Sequence, residues 1–314
     1  MKKLEDLGTD NILIRWIAGF LKCRTQQVRI GNITSSKLTV KGGVPQGTKL
    51  GPILFAIMIN DLSPSTCSAF KYVDDTTLVH TGQNPNSVEL QTAASEISYW
   101  CHQNDMKINT SKTKELLVNF SKKPSSCFPN ITLDNQPIER VESCKLLTIY
   151  ISNDLKWNTH VNYITKKASQ RLYMLICLKK TGVPSKDLIK IYKAKVRSVL
   201  DYGCEIWHPG LPMYLERQIE LVQKRSLRII YGYNTHYMEN LTLANLPTLS
   251  ERRKQRCLTF GLNMKQANHK LNHLLPPERN VKYNLRSHRS YNVPNCKTKR
   301  ALGSLINWFL LNHI

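Results

Sequence analysis

The sequence has no run of about 18 consecutive apolar residues, the length a helix needs to cross a bilayer. Its opening, Met1-Lys2-Lys3-Leu4-Glu5-Asp6, lacks the apolar stretch of a secretory leader. Both absences predict an intracellular protein, of nucleus or cytoplasm, with no membrane role. The cysteines form no pattern either. All nine (23, 67, 101, 127, 144, 177, 204, 257 and 296) stand singly, with no Cys-x-x-Cys pair, which argues against a disulfide framework or a zinc cluster. Cys257 with His269 and His273 comes nearest to a zinc set, but these three residues fall short of the four ligands of a structural site. Acidic residues are scarce, 22 against 45 Lys and Arg, for a net charge of +23.

That scarcity is local. Residues 1–154 hold 17 basic and 14 acidic side chains, whereas residues 155–314 hold 28 and 8. A field of this size in one half attracts phosphate backbones through counterion release. The basic residues alternate with apolar ones at helical spacing instead of forming one tail, so nucleic acid is a better partner than a membrane surface. At 314 residues and 41% hydrophobic, the chain can build two domains.

Periodicity predicts a core-facing helix over Ile12–Leu21, with Ile12, Leu13, Trp16, Ile17 and Phe20 on it, behind Thr9 and Asp10 as caps. Strands follow at Gln27–Ile30 and Lys37–Val40, around the turn residues Gly31 and Asn32. Gly42-Gly43-Val44-Pro45-Gln46-Gly47 reads as a loop and Ile53–Leu62 as an apolar helix. Two β-prone runs, Ala69–Val73 and Thr76–His80, flank Asp74 and Asp75, which predicts a hairpin with acids at its tip. Beyond it come a helix over Ser87–Asn104, strands at Met106–Ile108 and Leu116–Val118, and a boundary near Pro124, Ser125, Ser126 and Pro129. Further strands are expected at Ile131–Leu133 and Lys145–Ile151. From Trp157 on, the pattern is helical.

Two adjacent aspartates repel at close range, and a cation would relieve them. Their hard oxygens suit Mg²⁺, which takes one or two carboxylates plus substrate phosphates. A solvated Asp-Asp turn is the competing reading, and common by itself.

Context bears on the choice. Tyr72-Val73-Asp74-Asp75 resembles the metal-binding signature of reverse transcriptases, downstream of Gly43-Val44-Pro45-Gln46-Gly47-Thr48-Lys49-Leu50-Gly51-Pro52, which resembles that family's nucleotide- and template-contacting loop. Trp100, Asn109 and Lys112-Thr113 resemble the next motif of the non-LTR (LINE-type) retrotransposon enzymes, and Lys145-Leu146-Leu147 with Asp154–Trp157 their primer-gripping hairpin. Matches continue through Arg197–Tyr202, Trp207-His208 and Gln223–Ile230, in the manner of jockey-type and chicken-repeat-type elements. Two departures stand out: Thr148 where the gripping hairpin usually has glycine, and Thr48-Lys49 after the first loop.

The resemblance implies an α+β fold. A partial right-hand polymerase palm with a ferredoxin-like sheet is expected over 1–120, a connector and primer-grip hairpin over 121–156, a basic all-α thumb over 157–235 and a basic extension over 236–314. It implies RNA-directed DNA synthesis with dNTPs on an RNA template and DNA primer, and two Mg²⁺ ions. Asp74 and Asp75 would be catalytic metal ligands, and Pro45, Gln46, Gly47 and Tyr72 would contact nucleotide or template. Lys112 would give a proton to the departing pyrophosphate, though between Ser111 and Thr113 it also reads as a solvated charge. In the family a further aspartate comes from an earlier strand, which by spacing from the Trp16 helix would precede Met1. The expectation is therefore an N-terminally truncated enzyme, inert by itself, or else a non-catalytic nucleic-acid-binding relic or co-opted protein. Asp6 and Asp10 read as helix-start acids and Asp61 as a structural one.

Overall fold

The computed structural model describes residues 1–40, 42–82, 88–120, 128–279, 291–292 and 295–313. Helices and small sheets mix in an α+β fold. Two compact units result: Met1–Glu115 with Ser121–Val141, and Leu116–Phe120 with Glu142–Ile314. Among the described residues no helix is long and apolar enough to cross a membrane.

In the first unit, α1 (Lys2–Asp6) precedes α2 (Asn11–Leu21), which starts where the Asp10 carboxylate accepts from the Ile12 amide at 2.7 Å. The core here is small: Leu4, Ile14, Ile17 and Leu54. The sequence predicts Ile12, Leu13 and Trp16 on the core face, but the structure leaves them 79%, 47% and 60% exposed. α2 is apolar on more than one side, and among the described residues only the Ile14–Ile17 side joins a buried cluster.

The strands β1 (Thr25–Gln26), β2 (Arg29–Ile30), β3 (Ile33–Thr34) and β4 (Leu38–Thr39) form nested ladders, β2 with β3 around Gly31-Asn32 and β1 with β4 outside them. After the glycine loop come α3 (Leu50–Ile59), β5 (Ser68–Tyr72), β6 (Asp75–Val79) and α4 (Val88–Gln103). Ser87, the expected first residue of that helix, lies outside the described residues, as do Pro124, Ser125 and Ser126 of the expected boundary. β7 (Lys114–Glu115) pairs in parallel with β10 (Glu139–Arg140), and β8 (Thr132–Leu133) forms a hairpin with β9 (Gln136–Pro137). Ala94 of α4 packs on Ile131, Leu133 and Ile138.

The strands expected at Met106–Ile108 and Leu116–Val118 do not form. The Asn109 side chain instead organises a turn, accepting from Ser111 Oγ at 2.7 Å and from the Lys112 amide at 3.2 Å. Every sheet among the described residues has two strands. The hairpin β5–β6 therefore stands without the neighbours that a ferredoxin-like sheet would supply.

The second unit opens with the hairpin β11 (Ser143–Leu146) and β12 (Ile149–Ser152), closed by Leu147 and Thr148 at φ 44° and 71°. It continues with α5 (Asn158–Lys180), α6 (Ser185–Ile191), a π-helical turn (Tyr192–Arg197), α7 (Ser198–Asp201), α8 (Cys204–Trp207) and α9 (Met213–Tyr231). Last come α10 (Tyr237–Ala244), α11 (Leu249–Met264), α12 (Lys299–Leu302) and α13 (Leu305–His313). One core runs from Val161 to Leu249. It crosses the expected boundary at 235/236, because Leu241, Ala244 and Leu249 complete the apolar face of α9. Gly261 of α11 leaves room for the Phe309 ring, where any Cβ would collide, so α13 seats against α11.

Trp207 stands at the centre of this core, fully buried, its indole N–H donating to Tyr202 O at 3.0 Å. His160 meets it edge-on at 5.4 Å, and the Arg253 guanidinium lies 5.5 Å from its ring. Burial depresses His160 to about 4. Burial, reinforced by Arg253 and Lys254, depresses His208 to about 3. Both fold as neutral rings, and His160 Nδ1 accepts from the Tyr150 amide at 3.3 Å.

Two predictions follow from these features. A histidine whose folded pKa lies below its unfolded 6.5 adds stability that is fully present above 6.5 and lost as pH falls toward the folded value. The slope is about 1.4 kcal/mol per pH unit for each such ring. The melting temperature should therefore be flat from pH 8 to 7 and fall between 6.5 and 5, above the range where carboxylates titrate; a flat profile there would refute neutral burial. Second, the β11–β12 turn needs positive φ at both central positions, which costs a β-branched residue most. Thr148→Gly should raise stability by about 1 kcal/mol in urea unfolding, and a loss would show that the side chain is contributing instead.

Candidate functional site

The candidate site begins with α3. Thr48 Oγ1 donates to Pro45 O at 3.1 Å and accepts from the Gly51 amide at 3.1 Å, closing the loop onto the first turn of the helix. Thr48 thus serves as a hydroxyl cap, a role serine would also fill. Gly51, quoted within the Gly43–Pro52 motif without a role of its own, is buried, and a Cβ there would stand 2.7 Å from Pro45 O. Gln46 and Gly47 are exposed and Pro45 is half-buried. Gly47 takes φ 79° with open space around it, so its backbone conformation, not crowding, demands glycine.

At the other end of α3, Lys71 of β5 donates from one ammonium to Ile59 O, Asn60 O and Leu62 O at 2.9, 2.9 and 3.0 Å. A cation on the last carbonyls satisfies orphan acceptors and opposes the helix dipole. Lys71 therefore anchors the hairpin to the helix. Nothing about a lone lysine in a strand announces this role; it becomes visible only once α3 has a defined end.

The hairpin forms as expected, with the register moved by one residue. Tyr72 pairs with Asp75, so the turn is Val73-Asp74 and Asp75 opens the returning strand. Val73 has φ 54°, a strained conformation for a β-branched side chain. Asp74, Asp75 and Tyr72 are all exposed, and neither carboxylate has an ion-pair partner among the described residues. No described hydrogen bond joins the hairpin tip to Pro45–Gly47. What connects them is α3, about 15 Å long for its ten residues.

The other acids are committed elsewhere. Asp61 pairs with Lys3 Nζ at 2.7 Å; burial opposes its ionisation, but the Lys3 bond and charge, with the Trp100 side chain, hold it below the usual carboxylate range. Asp10 caps α2. Among the described residues no group of three or more acid, histidine or cysteine side chains could enclose a metal ion. Lys112 is exposed in the Asn109 turn. In the second unit, Lys145 of the β11–β12 hairpin and Lys167 of α5 flank Tyr163, at 5.2 and 5.5 Å from its ring, and hydrogen bonds from both lysines lower its phenol pKa.

Residues 1–168 match the profile of "Reverse transcriptase (RNA-dependent DNA polymerase)". The chain belongs to this reverse transcriptase family. Its relatives are polymerases of non-LTR retrotransposons. In Drosophila melanogaster they include the probable RNA-directed DNA polymerase from transposon X-element, 23% identical over 72% of this chain and 26% of its own length. The probable RNA-directed DNA polymerase from transposon BS is 26% identical over 75% and 27%. The RNA-directed DNA polymerase from mobile element jockey is 25% identical over 69% and 25%. The chain thus spans about a quarter of the length of these relatives. The resemblance read from Tyr72–Asp75 and Gly43–Pro52 agrees with this membership, and both motifs fall inside the matched residues.

The anchoring of the hairpin is testable. Lys71→Ala removes three hydrogen bonds from a charged donor, each worth about 1.5–3 kcal/mol at most and less at an exposed site. The loss should show as faster amide exchange across Ser68–Val79 than in the parent chain, with α5 and α9 unchanged. Unchanged exchange in the hairpin would mean that Lys71 holds nothing.

Proposed function

We propose that this chain supplies the acidic hairpin and basic helical region of an RNA-directed DNA polymerase, acting on an RNA template, a DNA primer end and dNTPs. The observation that supports it is the β5–β6 turn, which presents Asp74 and Asp75 to solvent, unneutralised by any described cation, within the residues that match the family. Their donor set is two hard carboxylates, which fits Mg²⁺ with its remaining positions left to water and phosphate. When bound, the metal would supply charge stabilisation for nucleotidyl transfer. Asp74 and Asp75 would hold it, while Pro45, Gln46 and Gly47 would lie against nucleotide or template, Tyr72 against the primer, and Lys112 would offer a proton to pyrophosphate. In the same reading, residues 1–120 are a partial palm, 121–156 the connector with β11–β12 as the primer grip, α5 through α9 the thumb within 157–235, and 236–314 a basic extension.

A second reading, nucleic-acid binding without catalysis, draws on one specific observation. Asp61, between the two motifs, and Asp10, ahead of them, are occupied by Lys3 and by the α2 amide. Two carboxylates are fewer than two ions about 3.5–4 Å apart require.

Primer extension separates the two readings. With an RNA template, dNTPs and Mg²⁺, the chain alone should give no product above background. Fusing the fingers and first palm strand of a relative ahead of Met1 should restore synthesis. In that chimera Asp74→Asn should abolish synthesis, and Asp75→Asn should leave a residue of it. Asp74-dependent extension by the chain alone would overturn the deficit, and an active Asp74→Asn chimera would overturn the site.

A further inference from the structure

The loop between β4 and α3 is supported unevenly along its length. At its far end Thr48 ties Pro45 to Gly51, and Val44 packs on the Ile14, Ile17 and Leu54 cluster. At its near end stand Gly42 and Gly43, adjacent and exposed, with no side chains to anchor them. Glycine is the most conformationally free residue, and Gly43 is held at φ 77°, one of many values open to it. A pair of this kind keeps one conformation only if something outside it supplies the restraint.

Arg24 supplies it. Among the exposed residues Lys22, Cys23 and Thr25 it alone is half-buried. Its Nε donates to Leu21 O, an orphan carbonyl at the end of α2, at 3.0 Å. Its Nη2 donates to Gly42 O at 3.3 Å and to Gly43 O at 2.5 Å. Its own carbonyl accepts from the Val40 amide at 2.8 Å, which extends the β1–β4 ladder by one pair just ahead of the glycines. One residue therefore joins the end of α2, the base of the ladder and the start of the loop that leads to Gln46.

The residue type matters. A guanidinium is planar, so its Nε and Nη2 hold their acceptors at a fixed separation, whereas a lysine ammonium offers a single nitrogen on a flexible stem. No carboxylate competes for the fork. Residues 11–60 contain no Asp or Glu, and Arg24 has no ion-pair partner among the described residues.

We propose that Arg24 is a positioning residue that fixes the entry of the Gly42–Gly47 loop, so that Gln46 and Gly47 meet the incoming nucleotide or the template base opposite it. That role depends on the reading of the loop as part of a polymerase site. Arg24 acts through the backbone of Gly42 and Gly43 and touches no substrate itself. Without it α2 and the Thr48 cap of α3 remain, but the loop spreads over conformations of which few can bind. A smaller binding-competent fraction weakens apparent affinity in proportion. The loss therefore falls on KM for dNTP and spares the chemical step.

Two measurements separate the clamp from the polymerase reading. The full chain labelled with [15N]glycine gives amide signals from 14 glycines, whose relaxation order parameters are compared in the parent, Arg24→Ala and Arg24→Lys. In both variants Gly42, Gly43 and Gly47 should fall from about 0.85 to below about 0.6. Gly19 of α2 and Gly51 of α3 should keep their parent values, which shows that the unit is folded. Arg24→Lys retains the charge at the end of α2 and serves if Arg24→Ala does not fold. Unchanged order at Gly42 and Gly43 would overturn the clamp. In the chimera that restores synthesis, both variants should raise KM for dNTP on the order of tenfold at nearly constant kcat. Free guanidinium, far below denaturing concentrations, should recover part of that loss in Arg24→Ala. A parent-like KM in Arg24→Lys would show that charge suffices and would overturn the fork, and a loss confined to kcat would overturn the positioning role. A parent chimera without product would count against the polymerase reading, and the glycine relaxation would then decide the clamp by itself.

Discussion

The second unit turns on the Glu220 carboxylate. It accepts from the Leu249 amide through both oxygens, at 3.1 and 3.0 Å, and from the Tyr237 hydroxyl, so one side chain of α9 holds the starts of both α11 and α10. An acid at a helix N-terminus answers both its unpaired amides and its dipole. Gln223, one turn further and fully buried, extends the hold by accepting from Tyr192 Oη at 2.6 Å and donating to Pro247 O at 3.1 Å. These bonds fix the rotation of α9 about its own axis more tightly than apolar packing could, because hydrogen bonds are directional. With Glu220 and Gln223 facing in, the helix has no freedom over where Arg217, Arg225 and Arg228 point. The interior polar network therefore determines the exterior charge pattern.

The first unit is held differently. Its cores are small, its sheets have two strands each, and its long-range order depends on a few cationic caps: Lys3 to Met58 O and Asp61, Lys71 to the end of α3, and Arg140 to Glu115 at 3.1 and 3.2 Å. Such bonds orient elements well but add little to stability where solvent reaches them. Large apolar side chains, among them Ile12, Trp16, Ile30, Ile33 and Phe70, remain exposed. Stability in this chain accordingly concentrates in the Trp207-centred core, while the acidic hairpin stands on the less buried scaffold.

Much of this was legible in the residues. Periodicity placed α2, α3 and α4 within a few residues and read the chain as helical from Trp157 on, since each helix carries an apolar repeat and α2 carries a cap. The hairpin around Asp74 was legible because β-prone runs flank it, but its register was not: the choice between Val73-Asp74 and Asp74-Asp75 as turn depends on pairing that no local propensity fixes. After Met106–Ile108 the chain turns at Asn109, whose side chain offers the backbone a competing set of bonds, and the strand that does form lies two residues ahead of Leu116–Val118, at Lys114–Glu115. Lys71, Gly51 and Arg253 went unnoticed for a shared reason. Each matters through a partner distant in sequence or through a close approach, the end of α3, the Pro45 carbonyl and the Trp207 ring, and only the folded chain brings those partners together.

The uneven charge of the two halves has a chemical logic. An exposed pair of aspartates repels phosphate until a divalent ion reverses the local field, so the hairpin cannot by itself recruit a polyanion. The basic helical unit has the opposite sign and needs no ion to attract one. In the proposed reading, recruitment and metal-dependent chemistry would draw on separate surfaces with opposite responses to the solution: raised salt would weaken the first, while withdrawal of divalent metal would disable the second. A chain that lost the acidic function could keep the basic one, because the exposed cations of α5 and α9 and the carboxylates of the hairpin are different side chains. In the proposed reading, that independence would let the same fold support either a polymerase component or a binder without catalysis, with the distinction between them in the carboxylates, not in the helices.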